Sequence, residues 1–196
     1  MSAYLAEILP YWHQHIDQPD LPAAARFNAW YQVDDGTLAE RFGDLVETLL
    51  EQPDGARDMP NTAATVIVLD QITRKLFGHS TRTYAAHQAA AQIAGPVLVS
   101  DKRRQLQLIE QIALAMTLGN TEELSWHDAA LAWFTQAETE NGDDERELLQ
   151  AFRDIAERRR EIIRQFGRFP LRNTVLGRSS TPGEAYFVVG TGCEFG

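Results

Sequence analysis

The stretch Thr62-Ala63-Ala64-Thr65-Val66-Ile67-Val68-Leu69-Asp70-Gln71-Ile72-Thr73-Arg74-Lys75-Leu76-Phe77 decides the fold. Taken alone, Val66-Ile67-Val68-Leu69 reads as a buried strand, because β-branched side chains suit a pleated surface. A strand here would need partner strands elsewhere. The full segment is too long for one strand, and Thr65, Leu69, Ile72 and Leu76 recur at helical spacing. Helix is the predicted state, with Asn61 placed to cap it and Gly78 to stop it.

The same period repeats outward from this segment. Ala3 to Ile16 is a predicted helix that Pro10 kinks or delays. A second starts near Pro22 and runs to Trp30 or Tyr31. After the turn Asp34-Asp35-Gly36, Thr37 and Glu40 have capping-box spacing, and Leu38, Phe42, Leu45, Val46, Leu49 and Leu50 follow as a helical stripe. Gln52 to Pro60 reads as a loop. Ser80 or Thr81 opens an alanine-rich helix to about Ala94, ended by Gly95-Pro96. Val97-Leu98-Val99 allows a short strand, while Ser100 can cap a helix from Asp101 to Leu118, stopped at Gly119-Asn120. Ser125 begins a helix through Gln136, and Glu145 to Phe166 is the longest, closed by Gly167. Arg168 to Gly196 reads as loop with at most one short helix near Gly183 to Val188. The expected fold is all-α: one domain over residues 1–196 with about seven or eight helices, and 167–196 a loop-rich C-terminal segment packed on it.

Composition narrows the function. A hydrophobic fraction of 44% supports a real core rather than disorder. The net charge of -10 makes the chain a poor general binder of nucleic acid, whose affinity comes largely from Lys and Arg on phosphates. The charge is uneven: from Ala151 onward eight arginines face five acidic residues. Lysine occurs only at Lys75 and Lys102, and arginine suits two-pronged contacts to carboxylate or phosphate. Cys193 is the sole cysteine, so no intrachain disulfide and no multi-cysteine zinc site can form. Met1-Ser2-Ala3-Tyr4 shows no basic region ahead of an apolar run, as a signal peptide requires. The run Ala63 to Leu69, broken by Thr65, is far too short to span a bilayer. The expectation is a cytoplasmic protein with no membrane partner.

Common catalytic and metal motifs are missing. His13 with His15, and His79 with His87, lack the spacing and intervening glutamate of zinc hydrolases, and solvated histidines are the expectation. Gly177-Arg178-Ser179 lacks the lysine of a phosphate loop. No cofactor and no metal are expected. Trp12, Trp30, Tyr31, Trp126 and Trp133 fall mostly on helical stripes and read as core.

Two features stand out. Asp70 and Arg74 are four residues apart on one helix face, Gln71 and Arg74 three, and Asp70 borders an apolar surface where a carboxylate needs a partner. On the long helix, the apolar seam Leu148, Phe152, Ile155, Ile162, Phe166 has one gap, and Arg159 fills it. A guanidinium on that side must meet a carboxylate, carbonyls or a ligand. Directly after come Arg168, Arg172 and Asn173, in a loop stiffened by Pro170 and anchored by Phe166 and Phe169. Fixed arginines recognise an anion at little entropic cost.

Leu69-Asp70-Gln71-Ile72-Thr73-Arg74, the run Phe166 to Asn173, the run Leu176-Gly177-Arg178-Ser179-Ser180-Thr181-Pro182 and the pair Trp30-Tyr31 resemble motifs of the bacterial family named domain of unknown function 924. The resemblance covers nearly the whole chain. It implies a helical fold related to tetratricopeptide repeats and carries no assigned activity. Where that pattern has histidines, this chain has Asn120, Arg159 and Leu171; Thr73 and Lys75 also depart from it. The expected ligand-binding set is Asp70, Gln71, Arg74, Arg159, Arg168, Arg172, Asn173 and Arg178, for a small anionic carboxylate or phosphate. The alternative is a tetratricopeptide-like interaction module for a protein or peptide partner, with the polar motifs as clamps.

Overall fold

The structure, a computed structural model, describes residues 2–16, 20–31, 35–51 and 59–191. Among the described residues, ten α-helical segments run α1 (Ser2–Ile16), α2 (Ala23–Tyr31), α3 (Asp35–Glu51), α4 (Met59–Ile67), α5 (Thr73–Phe77), α6 (Thr81–Leu98), α7 (Leu108–Leu118), α8 (Leu124–Glu140), α9 (Asp143–Phe166) and α10 (Pro182–Thr191). No strand occurs among the described residues.

The deciding stretch is helical and lies at the centre of the core. Every residue from Thr62 to Asp70 is buried, which explains why its pattern is a continuous apolar run rather than a stripe. It is not one regular helix, however. Val68–Ile72 forms a π-helical turn between α4 and α5. The Thr73 N–H and the Thr73 hydroxyl (2.9 Å) both donate to the Val68 carbonyl five residues back, which satisfies the widened turn. One extra residue in the turn re-aims the side chains that follow, and Asp70 sits in that turn.

Several boundaries differ from expectation. α3 starts at Asp35 and α4 at Met59, so Thr37 and Asn61 lie inside helices. α6 passes through Gly95-Pro96 to Leu98, so Val97 and Leu98 are helical and not a strand. Gly95 is required by contact rather than as a breaker: a Cβ there would come within 2.3 Å of the Trp126 ring. The helix expected from Asp101 is split into a 3-10 turn, Asp101–Gln105, and α7. Glu110 Oε2 accepts from the Gln107 N–H at 2.8 Å and fixes the new start. The C-terminal segment holds the one helix expected near Gly183 to Val188, somewhat longer as the ten-residue α10, and in addition a 3-10 turn at Pro170–Arg172.

One large cluster joins α1, α3, α4, α6, α7, α8 and α9, with Trp12, Phe42, Phe134 and Phe152 among its largest members. α8 and α9, separated by Asn141-Gly142, make the most extensive helix pair. The buried face of α9 includes Ala156 rather than Ile155, one position round from the expected seam. A second cluster of Ile162, Ile163 and Phe169, with Phe166 and Phe187 against it, anchors the C-terminal segment. Gly167, with φ 69°, lets the chain reverse off α9 into that segment. Trp30 and Tyr31 belong to α2, but their side chains lie outside the described residues, as does Cys193.

Candidate functional site

The π turn delivers Asp70, fully buried, to the underside of a cleft. Gln71 Nε2 donates to Asp70 Oδ2, and Asn120 Nδ2, from the corner after α7, donates to Oδ1 at 2.7 Å. His87 of α6, also buried, places Nε2 3.5 Å from Oδ1, too far for a firm hydrogen bond. Asp70 thus organises groups from three elements. Because a carboxylate accepts and Nδ2 donates, the Asn120 amide is held one way round, and its Oδ1 is buried without a partner.

The cleft has a volume of about 420 Å³ and lies between the start of α6 (Tyr84, Gln88), the corner Asn120 to Glu122, and the C-terminal loop (Arg172, Leu176). Arg172 is only 4% exposed. Its guanidinium lies over the Tyr84 ring at 4.5 Å and over the Phe169 ring at 4.2 Å. Among the described residues its one hydrogen bond runs from Nη1 to the Asn120 main-chain carbonyl, 2.9 Å. Its Nε is buried without a partner, and no described carboxylate forms an ion pair with it. Burial first, and then the neighbouring Arg74 charge, lowers Arg172 to about 9.

Positive charge gathers around this corner. His87 is pushed well below its ordinary value by burial first, then by Arg74, Arg172 and Arg159, so it is neutral. His127 of α8 is lowered by burial, with Arg159 and Arg172 adding to it. Its Nε2–H donates to the Thr121 carbonyl at 2.9 Å, which leaves Nδ1 as a buried lone pair without a partner. His79 is lowered by burial and by the same Arg74 and Arg172 charges. His87 is therefore not solvated, contrary to expectation, while His79 is exposed as expected; His127 is buried as well. A chain of net charge -10 has concentrated arginines about one cleft.

The expected site residues divide into two groups. Asp70, Gln71, Arg172 and, by their fields on His87, Arg74 and Arg159 come together at this corner. Arg159 is half-buried, with its Cδ against the corner at Gly119. Asp70 is linked to Arg172 through Asn120, whose Nδ2 donates to Asp70 and whose main-chain carbonyl accepts from Arg172. Arg168, Arg178 and Asn173 are clamps. Arg168 grips Glu184 at 2.6 and 2.9 Å and the Ser179 carbonyl at 3.0 Å. Arg178 forks onto Glu122 at 2.6 and 2.9 Å and also donates to Asn173 Oδ1 and the Phe169 carbonyl. Burial pushes Glu122 up, but Arg178 and the Phe169 N–H outweigh it and hold the carboxyl below its usual range. Asn173 Nδ2 bonds Ser180 Oγ at 3.0 Å.

Tyr84, His87, His127 and Glu184 were not anticipated. His87 lies on the stripe Thr83, Tyr84, Ala86, His87, Ala90, Ala91, Ala94, all buried. That stripe is visible in the sequence once the alanines are read as core. Thr181 and Glu184 have capping-box spacing and form one: the Thr181 N–H donates to Glu184 Oε2 at 2.7 Å and the Glu184 N–H to Thr181 Oγ1 at 3.3 Å.

The class these features define is an all-helical protein with an arginine-bearing polar cleft. The chain belongs to the family described as bacterial protein of unknown function (DUF924), whose sequence model matches residues 8–192. Its fold is similar to that of a solved protein of unknown function from Agrobacterium tumefaciens, with 22% identity, a TM-score of 0.74, and coverage of 95% of this chain and 97% of that one. No curated protein matches the chain. No helix among the described residues is long and apolar enough to cross a membrane.

Proposed function

We propose that the cleft binds a small anionic molecule, a carboxylate or phosphate, on the Nε–Nη2 edge of Arg172. The supporting observation is that Arg172 is buried, its Nε has no hydrogen-bond partner, and no described carboxylate makes an ion-pair contact with it. Burying a cation this way costs several kcal/mol unless something compensates. Tyr84 and Phe169 cover the two faces of the guanidinium, and Asn120 takes one Nη1 proton. What remains is the in-plane edge, whose two N–H vectors match two oxygens of an oxyanion. Glu122, an acidic group in the cleft wall, accepts from Arg178 and the Phe169 N–H and acts on Arg172 through its charge without an ion-pair contact.

Titration calorimetry with propionate and with inorganic phosphate tests this. At least one should bind wild-type protein, Arg172→Met should lose the binding, and Arg168→Met should keep it. Absence of binding by both anions refutes the reading.

A second reading, a tetratricopeptide-like interaction module, draws on α10. Tyr186 and Val189, three apart, are 84% and 86% exposed. A protein or peptide partner would cover that face, and Tyr186→Glu with Val189→Glu would then remove partner binding while leaving anion binding intact.

A further inference from the structure

We infer that the ligand of the Arg172 cleft is a phosphate monoester, its phosphate held between Arg172 and the N-terminal turn of α6. This rests on the proposal that Arg172 binds the anionic group, and it decides between the two anions named there.

The inference starts where α6 starts. The helix runs for 18 residues from Thr81, and Thr81, Tyr84, Ala85 and Gln88 line the cleft. Ser80 caps it: its Oγ accepts from the Thr83 N–H at 3.2 Å, and its carbonyl accepts from the Tyr84 N–H at 3.2 Å. The N–H groups of Thr81 and Arg82, and the hydroxyl of the exposed Thr81, make no hydrogen bond among the described residues. Such a helix start carries about half a positive charge and attracts anions. No acidic residue lies in this first turn to answer it.

The second observation is Arg172, which enters the same cleft from the C-terminal loop. It is 4% exposed, and no described carboxylate makes an ion-pair contact with it. Tyr84 fixes where it lies relative to the helix. The Tyr84 hydroxyl is 3.1 Å from His79 Nδ1, ahead of the helix start, and the guanidinium rests over the Tyr84 ring at 4.5 Å. Arg172 is thus placed alongside the first turn of α6, where a cation opposes the helix dipole. One anion between the guanidinium and the helix start answers both.

The carboxylates nearby are held elsewhere. Glu122, in the cleft wall, accepts from Arg178 and from the Phe169 N–H. Asp70, fully buried, accepts from Gln71 and Asn120. Glu123 accepts from Gln88 Nε2 at 3.2 Å. Against these three carboxylates stand four arginines, Arg74, Arg159, Arg172 and Arg178, before the helix end is added.

Charge and shape favour phosphate over carboxylate. A carboxylate has two oxygens and one charge, which a guanidinium alone can take. A phosphate monoester has three terminal oxygens and close to two charges, enough to meet the guanidinium and the Thr81 hydroxyl and N–H together. The cleft volume of about 420 Å³ is that of a small-molecule site rather than of a bare ion, and Ala85 and Leu176 give it an apolar side for the esterified group.

Calorimetry on the intact protein at about pH 8, where a monoester is a dianion, compares ethyl phosphate, inorganic phosphate and propionate. Ethyl phosphate should bind about tenfold or more tightly than propionate, the worth of one further charge-assisted hydrogen bond, and at least as tightly as inorganic phosphate. A preference over propionate of less than about threefold overturns the phosphate inference and leaves the Arg172 reading standing. Tighter binding of inorganic phosphate than of ethyl phosphate overturns the monoester. Absence of all binding overturns the anion site itself.

Thr81→Val tests the α6 side directly. The residue is exposed, so the fold tolerates the change. Losing the hydroxyl while keeping the shape should weaken ethyl phosphate about fivefold or more and leave propionate within about twofold. Unchanged binding of ethyl phosphate, or an equal loss of both ligands, overturns the place of the α6 N-terminus in the site.

Discussion

Replacing Arg172 by methionine should change stability by no more than about 2 kcal/mol, although the side chain is 4% exposed and inside a packed corner. The favourable contributions are two ring contacts, at 4.5 and 4.2 Å, and one hydrogen bond to Asn120. Each ring contact is worth about 1–2 kcal/mol when desolvated, and a charge-assisted hydrogen bond about 1.5–3 kcal/mol. Against them stands the cost of a buried cation with no carboxylate in ion-pair contact. Lowering the guanidinium from its ordinary value to about 9 corresponds to roughly 5 kcal/mol against the charged form. The two sides nearly cancel, and methionine keeps much of the contact with Tyr84 and Phe169. Arg178→Met should behave differently, because it strands the half-buried Glu122 carboxylate; a cost of about 2 kcal/mol is expected, below that of a fully buried pair because water reaches both partners. Urea denaturation followed by circular dichroism measures both. The sign with pH is also fixed. Arg172 binds its proton less tightly folded than unfolded, so its penalty is full below about pH 9 and eases above it. Wild type should therefore gain stability relative to Arg172→Met as the pH rises through about 9. A loss above about 3 kcal/mol for Arg172→Met, in the range of a broken buried pair, would show that Arg172 is a structural clamp and refute the reasoning.

Gly95→Ala should cost about 1–3 kcal/mol by forcing Trp126 aside, read as a lowered melting temperature, since its new methyl would lie 2.3 Å from the ring. Glu184→Ala removes both the α10 capping box and the Arg168 partner, and limited proteolysis should cut the segment after Gly167 faster than in wild type. The stability of wild type should fall as the pH drops below about 6.5: His87 and His127 are lowered in the folded state, so the unfolded chain takes up protons first. His87→Gln should flatten that slope between about pH 6.5 and 5, and an unchanged slope would mean that His87 does not contribute to it.

The helical class was legible because length and period agreed along most of the chain, and even the ambiguous centre resolved once sixteen residues rather than four were weighed. The π turn was not legible. Its cause is a threonine, Thr73, whose hydroxyl and N–H both reach Val68, and nothing in the spacing of apolar residues reports a ring widened by one residue when every neighbour is buried. The helix boundaries missed at Gly95-Pro96 and at Asp101 have similar origins. Gly95 looked like a breaker and is in fact a contact with Trp126, a partner about thirty residues away in sequence.

The arginines show where reading a site from sequence stops. Arg159, Arg168, Arg172 and Arg178 lie on one stretch of chain and share the same chemistry, so as letters they are equivalent candidates. Their partners separate them, and those partners come from elsewhere. Glu122 and Glu184 take up Arg178 and Arg168, and in doing so lock the C-terminal segment onto the corner after α7 and onto α10. That locking is what lets Arg172 remain without a carboxylate: its place between Tyr84 and Phe169 is maintained by its neighbours' ion pairs rather than by one of its own. The clamps therefore serve the cleft even though they do not line its anion-binding edge. It follows that Arg178→Met should weaken propionate binding by loosening Arg172, whereas Glu122→Gln, which keeps a hydrogen-bonding partner for Arg178, should weaken it less; the reverse order in calorimetry would show that the clamp and the cleft are independent.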